Sequence, residues 1–105
     1  MKTYQVIIEP EAKRQMRRHL FYIKTRLKNP QAAESVYTDF LTSAGKLSTA
    51  AGSIKEAEDE ELIRRNLKRK NFDRHEYFIL FKVDDGKARV TNVFHFRENY
   101  IAKLR

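Results

Sequence analysis

The chain has 105 residues, a formal net charge of +8 and no cysteine. That length gives one domain, residues 1–105, with one modest core. The lack of cysteine excludes disulfides and thiolate metal sites and fits a reducing cytoplasm, and no apolar run approaches the roughly 20 residues that span a bilayer. The charge points to a polyanionic partner, nucleic acid or an acidic protein; the plainer alternative is a surface that keeps a small protein in solution.

The opening MKTYQVIIEP is too short and polar for a secretory signal and reads as a strand over 3–9, with Tyr4, Val6 and Ile8 on one face. Pro10 suits a first helical turn. Ala12, Met16, Leu20, Ile23 and Leu27 then form an apolar stripe, with Lys13, Arg14, Arg17, Arg18 and Lys24 opposite and His19 on the helix surface. Asn29 and Pro30 start a second helix as N-cap and first turn, and Ala33, Val36, Tyr37, Phe40, Ala44 and Leu47 are its stripe. So short a connection makes the two helices an antiparallel hairpin, which Gly52 and Ser53 end.

The acid-rich segment 53–61 reads as an exposed loop, Leu62–Leu67 as a short strand, and Lys68–Arg74 as a basic loop or strand extension. Tyr77–Val83 is the strongest strand, Asp84-Asp85-Gly86-Lys87 is a hairpin turn, and Ala88–Phe96 is the return strand. Arg97–Arg105 is a tail of a helical turn or two, packed back through Tyr100, Ile101 and Leu104. The order βααβββ predicts an α+β fold: an antiparallel sheet covered on one face by the helical hairpin, its other face open to a partner. Leu20, Ile23, Val36, Phe40, Ile79 and Phe81 are expected to share one core.

This layout resembles the RelE/ParE family of bacterial toxins. YQVIIEPEAKRQM is similar to the family's first strand entering a helix, IKTRLKNPQAAESV to its inter-helix segment, and EYFILFKVDDGKARVTNVFHFRENY to its final hairpin. The resemblance implies a type II toxin-antitoxin system in which a cognate antitoxin wraps the toxin. It also implies one of three outcomes: ribosome-dependent mRNA cleavage, inhibition of DNA gyrase without catalysis, or a degenerate member that only binds its antitoxin. Of these, mRNA cleavage is the leading expectation.

Cleavage of RNA requires a base for the 2′-hydroxyl, an acid for the leaving oxygen and a cation for the phosphorane charge. The candidates are Arg97, His95, Arg65 and Tyr100 as catalytic groups and Arg64, Lys68, Arg69 and Lys70 as RNA-phosphate contacts. His95 and Arg97 alternate, so a strand would point both to one face. The resemblance matches Arg97 to the basic residue after the last strand, Tyr100 to a nearby aromatic, and Arg64 or Arg65 to a basic position on the second strand. Each has a plainer reading. His95 is a hydrogen-bonded sheet histidine, Arg97 a surface or antitoxin contact, Tyr100 a tail anchor, and the run 64–70 a charged edge strand that blocks aggregation. One departure stands out: Phe78 occupies the position after the strand-opening Tyr, where the family commonly carries Arg, a charge that Arg74 or His75 could supply instead. No glycine-rich phosphate loop, metal-spaced His set or Ser/His/Asp signature is present, so neither metal nor cofactor is expected.

Overall fold

The computed structural model describes residues 2–104. Strand β1 (Gln5–Ile8) leads into α1 (Pro10–Thr25), which a short link joins to α2 (Pro30–Gly45). Both helices begin with proline in the first turn, and Asn29 caps α2 by accepting the Ala32 N–H at 3.0 Å. One further turn, α3 (Leu47–Ala50), and a 3₁₀ turn (Ala51–Ser53) end the helical half. Gly52 lies against the tip of the Tyr4 side chain, which a Cβ there would have to displace. Helix α4 (Glu60–Arg64), strands β2 (Lys68–Asn71), β3 (Tyr77–Asp84) and β4 (Lys87–His95), and α5 (Tyr100–Lys103) complete the chain.

The α+β class stands, but the sheet is mixed rather than antiparallel. Its order is β1-β4-β3-β2, with β2, β3 and β4 antiparallel and β1 parallel to β4. The long excursion through α1 and α2 allows a parallel first strand, which a tight turn would not. The β3–β4 hairpin turns on Asp85 (φ 50°) and Gly86 (φ 72°), the two positive φ values of a type I′ turn.

The segment Leu62–Leu67 is not a strand. Asp59 caps α4 by accepting the Glu61 N–H at 2.8 Å, and acidic residues fill the first turn. Asn66 (φ 59°) ends it in a Schellman motif: Leu67 N–H bonds the Leu62 carbonyl at 2.8 Å and Asn66 N–H bonds that of Ile63 at 3.0 Å. The second strand lies instead in the basic stretch that follows.

The main core lies between the helices and one sheet face. Ile23, Val36, Phe40, Ile79 and Phe81 are buried in it, with Leu20 packed alongside, as expected. Leu27 and Tyr37, assigned to the apolar stripes, are 57% and 45% exposed. The other sheet face is not open. Phe78, Leu80 and Phe94 on that face, with Leu62 and Leu67, form a second buried cluster, and Ala57, Tyr100 and Leu104 pack against it. The acidic segment, α4 and α5 therefore cover a face that the apolar residues of β3 and β4 could not leave in water.

Candidate functional site

Strand β1 pairs with β4 only as far as Val90, and Pro10 follows at once. Beyond that point the outer edge of β4 has no neighbouring strand, and side chains complete its hydrogen bonds. Gln15 of α1 accepts the Val93 N–H at 2.7 Å, His19 Nε2 lies 3.0 Å from the Val93 carbonyl, and Glu98 accepts the His95 N–H at 2.8 Å. A bulge at Thr91, which has no partner on β3, shifts the alternation so that Val93 and His95 face the helices.

A groove of about 900 Å³ runs along this edge. Arg18, His19 and Tyr22 of α1 line one wall, and His95, Arg97 and Glu98 line the other. The Tyr77 ring meets both histidines edge to face, with centroids 5.0 Å from His19 and 4.8 Å from His95. His95 Nδ1 accepts the Arg97 N–H at 3.1 Å, which leaves Nε2 to carry the proton of the neutral ring. Burial pushes His19 below its ordinary value, partly offset by the Val93 carbonyl and Glu98. Burial would raise Glu98, but the His95 N–H, Lys103 and His19 outweigh it and hold the carboxyl low. Burial, then the Glu98 charge, raises Tyr77. The groove thus holds a carboxylate and a half-buried histidine beside Arg97, which has no carboxylate within 4.0 Å among the described residues.

The remaining candidates lie elsewhere. Tyr100 is on the opposite face, its ring against Phe78 and its hydroxyl donating to Asp59 at 3.0 Å. Burial, with that bond to a carboxylate, raises its pKa. Arg69 stacks over Phe78 at 3.8 Å and also faces Phe96, bordering the same small hollow as Tyr100. A cation therefore covers the position where the family resemblance leads one to expect an arginine, and it comes from β2 rather than from Arg74 or His75. Arg64 and Arg65 sit at the end of α4, not on a strand, and both bind Glu61, whose carboxyl they hold low. Lys68 and Lys70 lie on the edge strand β2, Lys70 3.6 Å from Asp73. Apart from Arg64 and Arg65 on Glu61, the structure brings together His95 with Arg97 and Arg69 with Tyr100, and these two pairs are on opposite sides of the sheet.

Sequence reasoning placed His19 on the helix surface, whereas it is largely covered and bound to β4. The polar run Gln15, His19, Tyr22 beside the apolar stripe is its signal. A second network also escaped notice. Asp39, buried on α2, accepts the Arg74 N–H at 3.0 Å and bonds His75 Nδ1 at 2.7 Å, and His75 Nε2 lies 3.4 Å from Ser35 Oγ. Burial opposes its ionisation, but the His75 and Arg74 bonds prevail and hold the carboxyl low. Ser35 stands on an exposed helix face and borders neither hollow described above; the network's bonds to Arg74 and His75 pin the β2–β3 loop. No cluster of metal-ligating side chains occurs among the described residues. No helix there is long and apolar enough to cross a membrane.

No protein-family model and no curated protein matches the sequence. Solved structures do match by fold. A chain from a structure of the chromosomal ParDE TA system from P. aeruginosa superposes with a TM-score of 0.73 at 12% identity, over 89% of this chain and 96% of that one. At that identity the likeness is one of fold.

Proposed function

We propose that this chain is the toxin of a type II toxin-antitoxin system, held in check by a cognate antitoxin, and that it acts in the cytoplasm by binding DNA gyrase rather than by cutting mRNA. The toxin reading is supported by the fold shared with a chain of a ParDE TA system and by a charge of +8 suited to an acidic partner. Against the catalytic set expected from the sequence stands one observation: its members do not converge. His95 and Tyr100 lie on opposite sheet faces, the Tyr100 hydroxyl is committed to Asp59, and Arg65 is bound to Glu61. An RNA phosphodiester needs base, acid and cation within reach of one phosphate.

A nuclease remains the second reading because Arg97 and His95 border one groove. In it Arg97 and His95 would act on an mRNA bound at the ribosome, with Arg65 and Tyr100 outside the groove, and Arg64, Lys68, Arg69 and Lys70 would be left to hold phosphates. Two assays run in parallel separate the readings: primer extension on a reporter mRNA in a purified translation system, and a gyrase–DNA cleavage assay. The expected result is stabilised gyrase–DNA breaks and no new 5′ ends. New 5′ ends that fall ~10²–10³-fold in Arg97→Ala, the usual loss for one charge-stabilising donor, would reverse the choice. Neither activity would leave a protein that binds only its antitoxin.

A further inference from the structure

We infer that Ser35 is an activated nucleophile that accepts an acyl group from a small, activated ester, with His75 as its base and Asp39 as the residue that positions the base. The inference does not rest on the toxin reading, and Ser35 lies outside both hollows.

Two elements far apart in the sequence make the arrangement. Ser35 and Asp39 are one turn apart on α2, so their side chains share a face. The β2–β3 loop lays His75 across both. Its Nδ1 is 2.7 Å from Asp39 Oδ2, and its Nε2 is 3.4 Å from Ser35 Oγ. Exposure rises along this line of contacts: the Asp39 carboxylate is buried, the His75 ring half-buried and Ser35 exposed. A nucleophile in reach of a base, with the base oriented by a third group, is the pattern that activates a hydroxyl.

The placement of the proton follows from Asp39. An ionised carboxylate only accepts, so the hydrogen of the neutral His75 ring sits on Nδ1 and the Nε2 lone pair faces Ser35. Burial opposes the Asp39 charge, but the bonds from His75 and the Arg74 N–H outweigh it and keep the carboxyl ionised. That charge stabilises the imidazolium formed when Nε2 takes the serine proton.

Anchoring the loop does not account for the Ser35 contact. Ser43 accepts the Asp73 N–H at 3.1 Å, Lys46 bonds the Asp73 carboxylate at 2.7 Å, and Asp39 already holds Arg74 and His75. One more exposed contact at 3.4 Å adds little. What it supplies is a hydroxyl beside an unprotonated nitrogen.

The surroundings define the donor. No hollow borders Ser35, so shape selects nothing, and the donor must be small with a good leaving group. Ser35 Oγ adds to the acyl carbon as His75 Nε2 takes the hydroxyl proton. The bond from the acyl carbon to the leaving oxygen then breaks, that oxygen keeps the electron pair, and His75 returns the proton to it. The products are an acyl-serine ester and a free alcohol or phenol. A serine alkoxide leaves less readily than the donor's own leaving group, so the transfer stops there. Ser35 is thus a modification site and does not turn over.

The test treats the whole chain with para-nitrophenyl acetate and follows acetylation residue by residue by peptide mass spectrometry. Ser53 is the internal reference: it is also exposed, but its hydroxyl bonds the Ala50 carbonyl at 3.0 Å instead of a histidine. Ser35 should be acetylated ~10²-fold faster than Ser53, the low end of what a positioned base supplies. His75→Gln should bring Ser35 down to the Ser53 rate, with an unchanged melting temperature establishing that the variant folds. Nitrogen chemical shifts of the wild-type His75 ring should show the neutral form protonated at Nδ1. Equal rates at Ser35 and Ser53, an undiminished Ser35 rate in folded His75→Gln, or a neutral ring protonated at Nε2 would each overturn the assignment. The first and last of these are read on the wild-type chain and stand whether or not the variant folds.

Discussion

Asp39 is the residue on which the placement of the β2–β3 loop depends. Its carboxylate takes the Arg74 N–H, the His75 ring and the Ser43 hydroxyl, and Ser43 in turn accepts the Asp73 N–H at 3.1 Å. Asp39→Ala would leave the part-buried Arg74 amide, the His75 ring and the Ser43 hydroxyl hydrogen without their acceptor, a loss of about 1–3 kcal/mol. Asp39→Asn should cost less, because one amide oxygen can still accept from Arg74 and His75. Urea denaturation of both variants measures this, and equal losses would mean that packing, not hydrogen bonding, sets the effect. Because the folded carboxyl titrates below its ordinary value, its contribution is complete above about pH 4 and fades as pH falls through the folded value. Residues whose partners are adjacent in sequence, such as Asn29, Pro30, Asp85 and Gly86, could be read from the chain directly. Asp39 could not, since its ligands arrive from a loop 35 and 36 residues away.

At the scale of elements, β4 explains most of what was and was not legible. Strict alternation over Ala88–Phe96 describes two half-strands correctly but misses the extra residue at Thr91 that changes their phase. The bulge puts His95 on the helix side, where α1 provides Gln15 and His19 in place of a strand. Leu62–Leu67 was misread for a related reason: its apolar residues suit either period, and the signals that decide, the Asp59 cap before it and the Asn66 stop within it, are not apolar. Gln15→Ala removes the acceptor of the Val93 N–H and should destabilise by about 1–3 kcal/mol while accelerating exchange of that amide. Continued protection of Val93 in the variant would show that the edge is closed by something other than Gln15. His19 adds a pH dependence. Unfolded, it titrates near pH 6.5; folded, burial keeps it neutral to lower pH. Its contribution is therefore greatest above about pH 6.5 and declines as pH falls towards the folded value. His19→Gln should flatten that part of a stability–pH curve, and an unchanged slope would assign it to other groups.

The molecule as a whole carries its excess charge asymmetrically. Cations crowd the outer surface of α1 and its link to α2, where Lys13, Arg17, Lys24, Arg26 and Lys28 are all exposed. The candidate site was only half legible for a reason at this same scale. Spacing along the chain joins His95, Arg97 and Tyr100, but the sheet runs between them. The ion pairs that exist, such as Arg14–Glu11, Arg64–Glu61 and Lys103–Glu98, each include a well-exposed cation and contribute little apiece. Repulsion among the unpaired cations is longer in range and acts on the folded state, where they are held close. Salt should weaken the repulsion more than the local pairs, since the Debye length contracts to ~8 Å at 0.15 M while pairs in contact are closer than that. The melting temperature should thus rise by about 2–5 °C between ~0.02 M and ~0.3 M NaCl, the shift expected when a domain of this size gains somewhat under 1 kcal/mol. Calorimetry at the two salt concentrations reads it directly. A fall would mean that the surface pairs outweigh the repulsion, and that α1 does not need an acidic partner to relieve its charge.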